Sequence, residues 1–199
     1  VKELVFGITG ASGSLYARRT IEILSNLGIH VHLVLSRHAM KVIPHELEPL
    51  SFKMDKELPH EVLKYIHSDL ITVHGYQDFT SPIASGSYKT DGMVICPCTA
   101  GTMGRIANNV STNLLDRAAD VCLKERRKLI IVIREMPYSR VMIENMLKLT
   151  DAGALILPAS PTFYHRPEKI RDVVDSVVAR ILDHLGLESE LEVRWNLEA

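Results

Sequence analysis

The apolar run Val5-Phe6-Gly7-Ile8 passes directly into Thr9-Gly10-Ala11-Ser12-Gly13-Ser14. That order describes a buried strand feeding a glycine-rich turn. From Leu15 to Leu27 the pattern changes to a helical period. Leu15, Ile21, Ile23, Leu24 and Leu27 form the apolar stripe, and Arg18, Arg19 and Glu22 the wet face. A strand, a glycine turn and a helix start together make an anion site. The first N–H groups of a helix have no partners of their own, and the helix dipole favours negative charge there. Gly10 and Gly13 let the backbone approach a bound group, and Ser12 adds a hydroxyl. The turn predicts a phosphate-bearing ligand; the plainer alternative is a tight strand-to-helix connection with none.

Spacing narrows the ligand. The glycines run G-x-x-G-x-x-G (Gly7, Gly10, Gly13) rather than G-x-G-x-x-G. A dinucleotide site also expects a carboxylate at the end of the second strand. The second strand, His30 to Leu35, ends instead in Ser36-Arg37-His38. This favours a mononucleotide such as FMN over NAD, with Arg37 leaving a 2′-phosphate open as a weaker option.

The remaining pattern alternates strands and helices. Helices are expected over Arg37–Ile43 (bent or ended by Pro44, with Glu46 just beyond), His60–His67, Met103–Asn109, Thr112–Glu125 capped by Ser111, and Ser139–Leu149. A last helix carries the stripe Ile170, Val173, Val174, Val177, Val178, Ile181, Leu182 and Leu185. Strands are expected at Ile71–His74, Gly92–Pro97, Leu129–Ile133 and Ala154–Leu157. Leu47–Lys56 reads as irregular, and Tyr76–Ser87 as a long loop, functional or mobile. The expected fold is α/β, a Rossmann-like, doubly wound, mostly parallel sheet with helices on both faces. One domain over 1–199, with a tail from about residue 186, suits the length.

Composition excludes several classes. With 23 basic and 24 acidic residues the charge is balanced, which argues against a nucleic-acid partner. No apolar run reaches the roughly 18 residues of a membrane span, and no signal peptide precedes the first strand. Three cysteines without framework spacing suit a reducing cytoplasm.

Ligands of doubly wound sheets sit beyond the carboxyl ends of the strands. That rule gathers Ser12, Ser36, Thr99–Thr102 and Arg134-Glu135 into one crevice. Arg134 suits a phosphate or a planar ring and Glu135 an acid or base; the alternative is a local ion pair. Asp116–Asp120 and Lys124–Lys128 read as solvated helix ends. For Tyr164-His165-Arg166-Pro167 and Arg180 a site and a structural role stay equally open. Cys96-Pro97-Cys98 lacks a second pair, and His30 and His32 share a strand face with no carboxylate near in sequence, so no metal site is expected at either. No Y-x-x-x-K occurs, which counts against a short-chain dehydrogenase.

Several runs together resemble the UbiX-type flavin prenyltransferases of the flavoprotein superfamily. They are Gly7–Gly13, Ala84-Ser85-Gly86-Ser87, Met93–Cys98, Asn113–Val121, Leu123–Arg127, Glu144–Leu147, Phe163–Pro167 and Val177–Leu182. The resemblance implies a Rossmann-like fold, FMN and a dodecamer. It implies metal-free transfer of a dimethylallyl group from dimethylallyl phosphate to reduced FMN, the product serving UbiD-type decarboxylases. By the same resemblance, Gly10, Ala11, Ser12, Ser36, Thr99, Ala100, Gly101, Thr102 and Arg134 hold FMN. Ser85, Lys124, Tyr164, Arg180 and Trp195 surround the prenyl donor, and Glu135, Ser12 and Glu46 are the catalytic candidates. The family often has Ser-Thr-Gly-Thr where this chain has Thr99-Ala100-Gly101-Thr102, a change that leaves backbone donors in place. The rivals are a flavin-dependent cysteine-type decarboxylase, whose asparagine motif and catalytic histidine are missing here, and a non-catalytic FMN-binding subunit of an aromatic acid decarboxylase.

Overall fold

A computed structural model describes residues 1–47 and 68–191. The expected helix at 60–67, all but the first residue of the irregular stretch after Glu46, and Trp195 lie outside the described residues. The elements are β1 (Glu3–Ile8), α1 (Ser14–Asn26), β2 (His30–Leu35), α2 (Ala39–Glu46), β3 (Ile71–His74) and β4 (Gly92–Cys98). They continue with α3 (Ala100–Ala107), α4 (Leu114–Lys124), β5 (Lys128–Ile133), α5 (Arg140–Asp151), β6 (Leu155–Pro158) and α6 (Ile170–Leu185). The sheet order is β3-β2-β1-β4-β5-β6, every neighbouring pair parallel. The chain winds outward from β1 to β3, returns to the middle and winds outward again. Its switch point, between β1 and β4, is where such sheets open a crevice.

Both faces of the sheet are covered, which explains why the central strands are apolar without alternation. On one face Phe6, Leu33 and Val132 pack with Ala17, Ile21 and Leu24 of α1 and with Val174, Val178 and Ile181 of α6. On the other, Val34, Ile95 and Ile131 pack with Met103 of α3 and with Leu115, Ala118 and Cys122 of α4. The α6 stripe is buried from Val174 to Leu185 in steps of three and one, as a helix lying flat on a sheet requires. Ile181 has no exposed surface, so Ile181→Ala costs about 2–5 kcal/mol.

The structure moves several expected boundaries. α3 begins at Ala100, three residues early, because the Thr99 side chain accepts from Thr102 N–H and caps it. The cap of α4 is Asn113, not Ser111; the Ser111 hydroxyl bonds the Asp120 carboxylate instead. Pro44 does not end α2. The helix runs on to Glu46, closed by Leu47 N–H on the Ile43 carbonyl at 3.0 Å. The 76–87 loop contains a 3₁₀ turn at Pro82–Ala84 and buries Ser81 and Ile83. Asp116 is fully buried rather than a solvated helix end.

Candidate functional site

The crevice is built from four strand ends. Thr9, just past β1, ties the first turn to the second. Its hydroxyl donates to the Pro97 carbonyl at 2.7 Å and accepts from Thr99 N–H at 2.8 Å. Gly10 is required by its neighbour, since a Cβ there would lie 2.4 Å from the His38 Cβ. Gly13 has φ +120°, a conformation side chains rarely adopt, and it leads into α1. Ser36 follows β2 and is buried; its hydroxyl accepts from Ala39 N–H at the start of α2.

The first turn differs from expectation in its charge. Gly13 N–H and Ser14 N–H donate to the Glu46 carboxylate at 2.9 and 2.7 Å. The anion at the start of α1 is therefore the chain's own. Burial works to raise the Glu46 pKa. Hydrogen bonds from the Ser12 side chain, the Ser14 and Gly13 N–H groups and the Ser14 side chain outweigh it and hold the carboxyl below its ordinary 4.5. A second carboxylate, Glu135, sits half-buried past β5 and accepts from Met136 N–H at 3.2 Å. Beside it Arg134 reaches across the switch point and donates to the Ser12 carbonyl at 3.0 Å.

The second turn is open. Thr99 caps α3 from within, and a cavity of about 470 Å³ lies in front of it. Gly10, Ser36, Arg37, Thr99, Thr102 and Arg105 are among its lining residues. Arg105 spans from the cavity to the core. It donates to Asp116 through Nε at 2.7 Å and Nη2 at 3.1 Å, and to the Thr102 hydroxyl at 3.2 Å. Asp116 also accepts from Thr112 and from Asn113 Nδ2, so this buried carboxylate is fully engaged. A helix start, two hydroxyls and two guanidinium groups around one cavity fit the phosphate end of a mononucleotide. Thr9, Arg105 and Asp116 were not legible as site residues. Thr9 meets Thr99 from 90 residues away and Arg105 meets Asp116 from the next helix, and no local motif marks them.

Not all the expected residues meet. Gly10–Ser12, Ser36, Glu46, Thr99–Thr102, Arg134, Glu135 and Tyr164 lie at the carboxyl end of the sheet. Lys124 ends α4, ahead of β5, and pairs with Glu125. It is separated from Arg134 by the length of β5, about 20 Å. Ser85 lies at that same amino end, because Arg127 there donates to the carbonyls of Gly86 and Tyr88. Arg180 is toward it too, paired with Asp183 one turn before the His184 carbonyl that Lys128 Nζ reaches.

Cys96, Cys98 and Cys122 are buried and unbridged, and burial pushes the thiols of Cys98 and Cys122 up to about 12. Among the described residues no three His, Cys, Asp or Glu side chains form a metal-binding group, and no helix is long and apolar enough to cross a membrane.

The Flavoprotein family model matches residues 1–182, nearly the whole chain and all of the crevice. The chain belongs to the Flavoprotein family. It is 45% identical over 192 residues to the flavin prenyltransferase UbiX of Halalkalibacterium halodurans, covering 96% of this chain and 92% of the relative. Among solved structures, AnUbiX (PadA1) in complex with FMN and dimethylallyl pyrophosphate superposes with a TM-score of 0.89 at 35% identity, covering 98% and 97% of the two chains. A dodecameric FMN-dependent UbiX-like decarboxylase from Escherichia coli O157:H7 superposes with a TM-score of 0.87 at 37% identity, covering 98% and 99%. For a Flavoprotein-family chain the order of the sheet and the crevice at its switch point are what the fold demands.

Proposed function

We infer that this chain is a flavin prenyltransferase that moves a dimethylallyl group from dimethylallyl phosphate to reduced FMN. The observation that carries the reading is one crevice holding two carboxylates, Glu46 and Glu135, beside a cationic cavity of about 470 Å³ with room for the phosphate end of a mononucleotide. Ser36, Thr99 to Thr102 and Arg37 and Arg105 hold the flavin phosphate. Gly10, Ala11, Ser12 and Arg134 face the rest of the flavin. Bound reduced FMN supplies the nucleophile.

In the reaction the allylic carbon–oxygen bond breaks, and its electron pair leaves with the phosphate. The freed carbon bonds to the flavin, which gives up a proton. Lys124, Arg180, Ser85 and the Tyr164 hydroxyl offset the charge growing on the phosphate. Glu135 protonates the departing phosphate or takes the flavin proton. Glu46, kept ionised, orients the Ser12 hydroxyl.

Ser85 and Lys124 lie at the opposite end of the sheet from Arg134 in the same chain, with Arg180 toward that end, so a neighbouring copy supplies them. Ile143 and Leu147, one turn apart on α5, form an exposed apolar pair, with Met136 and Val141 also exposed nearby in the chain, a surface suited to burial between copies. We take the assembly to be a dodecamer, working in the cytoplasm and passing its product to a UbiD-type decarboxylase.

The test is anaerobic incubation with reduced FMN and dimethylallyl phosphate, followed by the mass of the extracted flavin. A gain of one five-carbon prenyl unit is expected. FMN bound but unmodified, with the donor intact, favours a non-catalytic FMN-binding subunit. Glu135→Gln is expected to lower turnover about 100-fold or more with FMN still bound; full turnover sinks its acid–base role.

A further inference from the structure

The fold brings His30 and His32, on one face of β2, to a carboxylate and a third histidine that are distant in sequence. His32, 5% exposed, sets its Nε2 2.7 Å from Glu3 Oε1 of β1. Its Nδ1 is 2.9 Å from His74 Nε2 of β3, and His74 Nδ1 is 2.9 Å from the Ser81 hydroxyl. Tyr88 donates its hydroxyl to Glu3 from the far end of the same loop. Ser81 and Tyr88 thus fasten the 76–88 segment to β3 and β1, while Arg117 and Arg127 hold its Ala84, Gly86 and Tyr88 carbonyls.

Proton counting orders this chain. Ionised Glu3 only accepts, so His32 donates from Nε2 and its bare Nδ1 accepts from His74 Nε2–H. The bare Nδ1 of His74 then accepts from Ser81. One added proton is tolerated, because the Ser81 hydroxyl can turn and accept. A second proton sets two N–H groups against each other across 2.9 Å, and the link breaks. We propose that the Glu3–His32–His74–Ser81 chain is an acid-sensitive clasp on the 76–88 segment, closed with at most one extra proton and opened by the second.

The surroundings disfavour positive charge on the closed chain. Burial, then His32, push the His74 pKa below its ordinary 6.5; Asp78 opposes this and His30 adds to it. The His30 and His32 rings are 4.9 Å apart, so a charged His30 also disfavours a second positive ring. Glu3 is held ionised, chiefly by the Tyr88 hydrogen bond. A histidine with a lowered folded pKa stabilises the fold above the unfolded value and loses that contribution as the pH falls through the folded one. Tyr76 and Gln77 line the crevice cavity, so opening loosens one of its walls. That consequence alone rests on the flavin reading.

Amide hydrogen exchange from about pH 7.5 to about pH 5, corrected for intrinsic rates, tests the clasp. Protection of residues 76–88 is expected to fall about tenfold per pH unit below a midpoint under 6.5, since the open state holds one more proton, while α6 stays protected. His74→Gln is expected to abolish the step. Flat wild-type protection, or the same step in His74→Gln, overturns the clasp. Because the wild type alone can refute it, a poorly folded variant does not rescue the idea. The flavin reading fails separately, by absence of FMN binding at pH 7.5, where the clasp is shut.

Discussion

Two helix starts face the same crevice, and they are used differently. α1 follows a glycine-rich turn that looks like a phosphate cradle, yet the Gly13 and Ser14 N–H groups at its start are taken by Glu46 from α2. α3 follows a plainer turn, is capped by its own Thr99, and opens on a cavity with Arg37 and Arg105. A helix start is only a local offer of positive potential. What fills it depends on which charges the rest of the chain delivers, and here a remote carboxylate closes one start while remote arginines strengthen the other.

The strongest way to break this contrast is to remove the support of the open start. Asp116→Ala strips the buried partner from Arg105, Thr112 and Asn113; a stability loss of about 3–5 kcal/mol is expected in urea unfolding, with loss of FMN binding. Next comes Glu46→Gln. Turnover should drop about 100-fold while FMN affinity holds. A large rise or fall in FMN affinity instead would mean that phosphate competes for α1 and that the two starts are alike. The same variant should flatten acid unfolding. The Glu46 pKa is lowered on folding, so its contribution is present above 4.5 and disappears as the pH falls through the lowered value.

Gly10→Ala should cost about 1–3 kcal/mol of FMN affinity, read by fluorescence quenching, because the new methyl meets His38. The smallest effect is expected from exposed Arg37→Ala, about 1 kcal/mol or less, greater at low salt and absent with riboflavin. Equal losses for riboflavin and FMN would remove Arg37 from the phosphate end.

Some of this was legible in advance and some was not. β2 was readable to the residue and α6 as a helix, because apolar runs and a three–one stripe reflect burial that any packing of this chain must satisfy. Ile170, the first member of the expected stripe, is nonetheless exposed, and burial begins at Val174. The crevice was readable as a place, since a strand-end rule needs only the order of elements. The cap of α4 was misread because Ser111 and Asn113 are both good caps, and only Asp120, across the helix turn, decides which serves.

The sequence by itself determined the fold class and the strand ends that carry the chemistry, because hydrophobic period and glycine placement act over a few residues; the family was legible only through the resemblance of several long motif runs. Only the tertiary structure decided which helix start keeps its charge free, that Asp116 is a buried anchor, and that Ser85 and Lys124 stand at the opposite end of the sheet from Arg134. Those outcomes depend on Coulomb and hydrogen-bond partners on different elements, such as Ser14 with Glu46, Arg105 with Asp116 and Ser12 with Arg134, and no local pattern encodes such pairings.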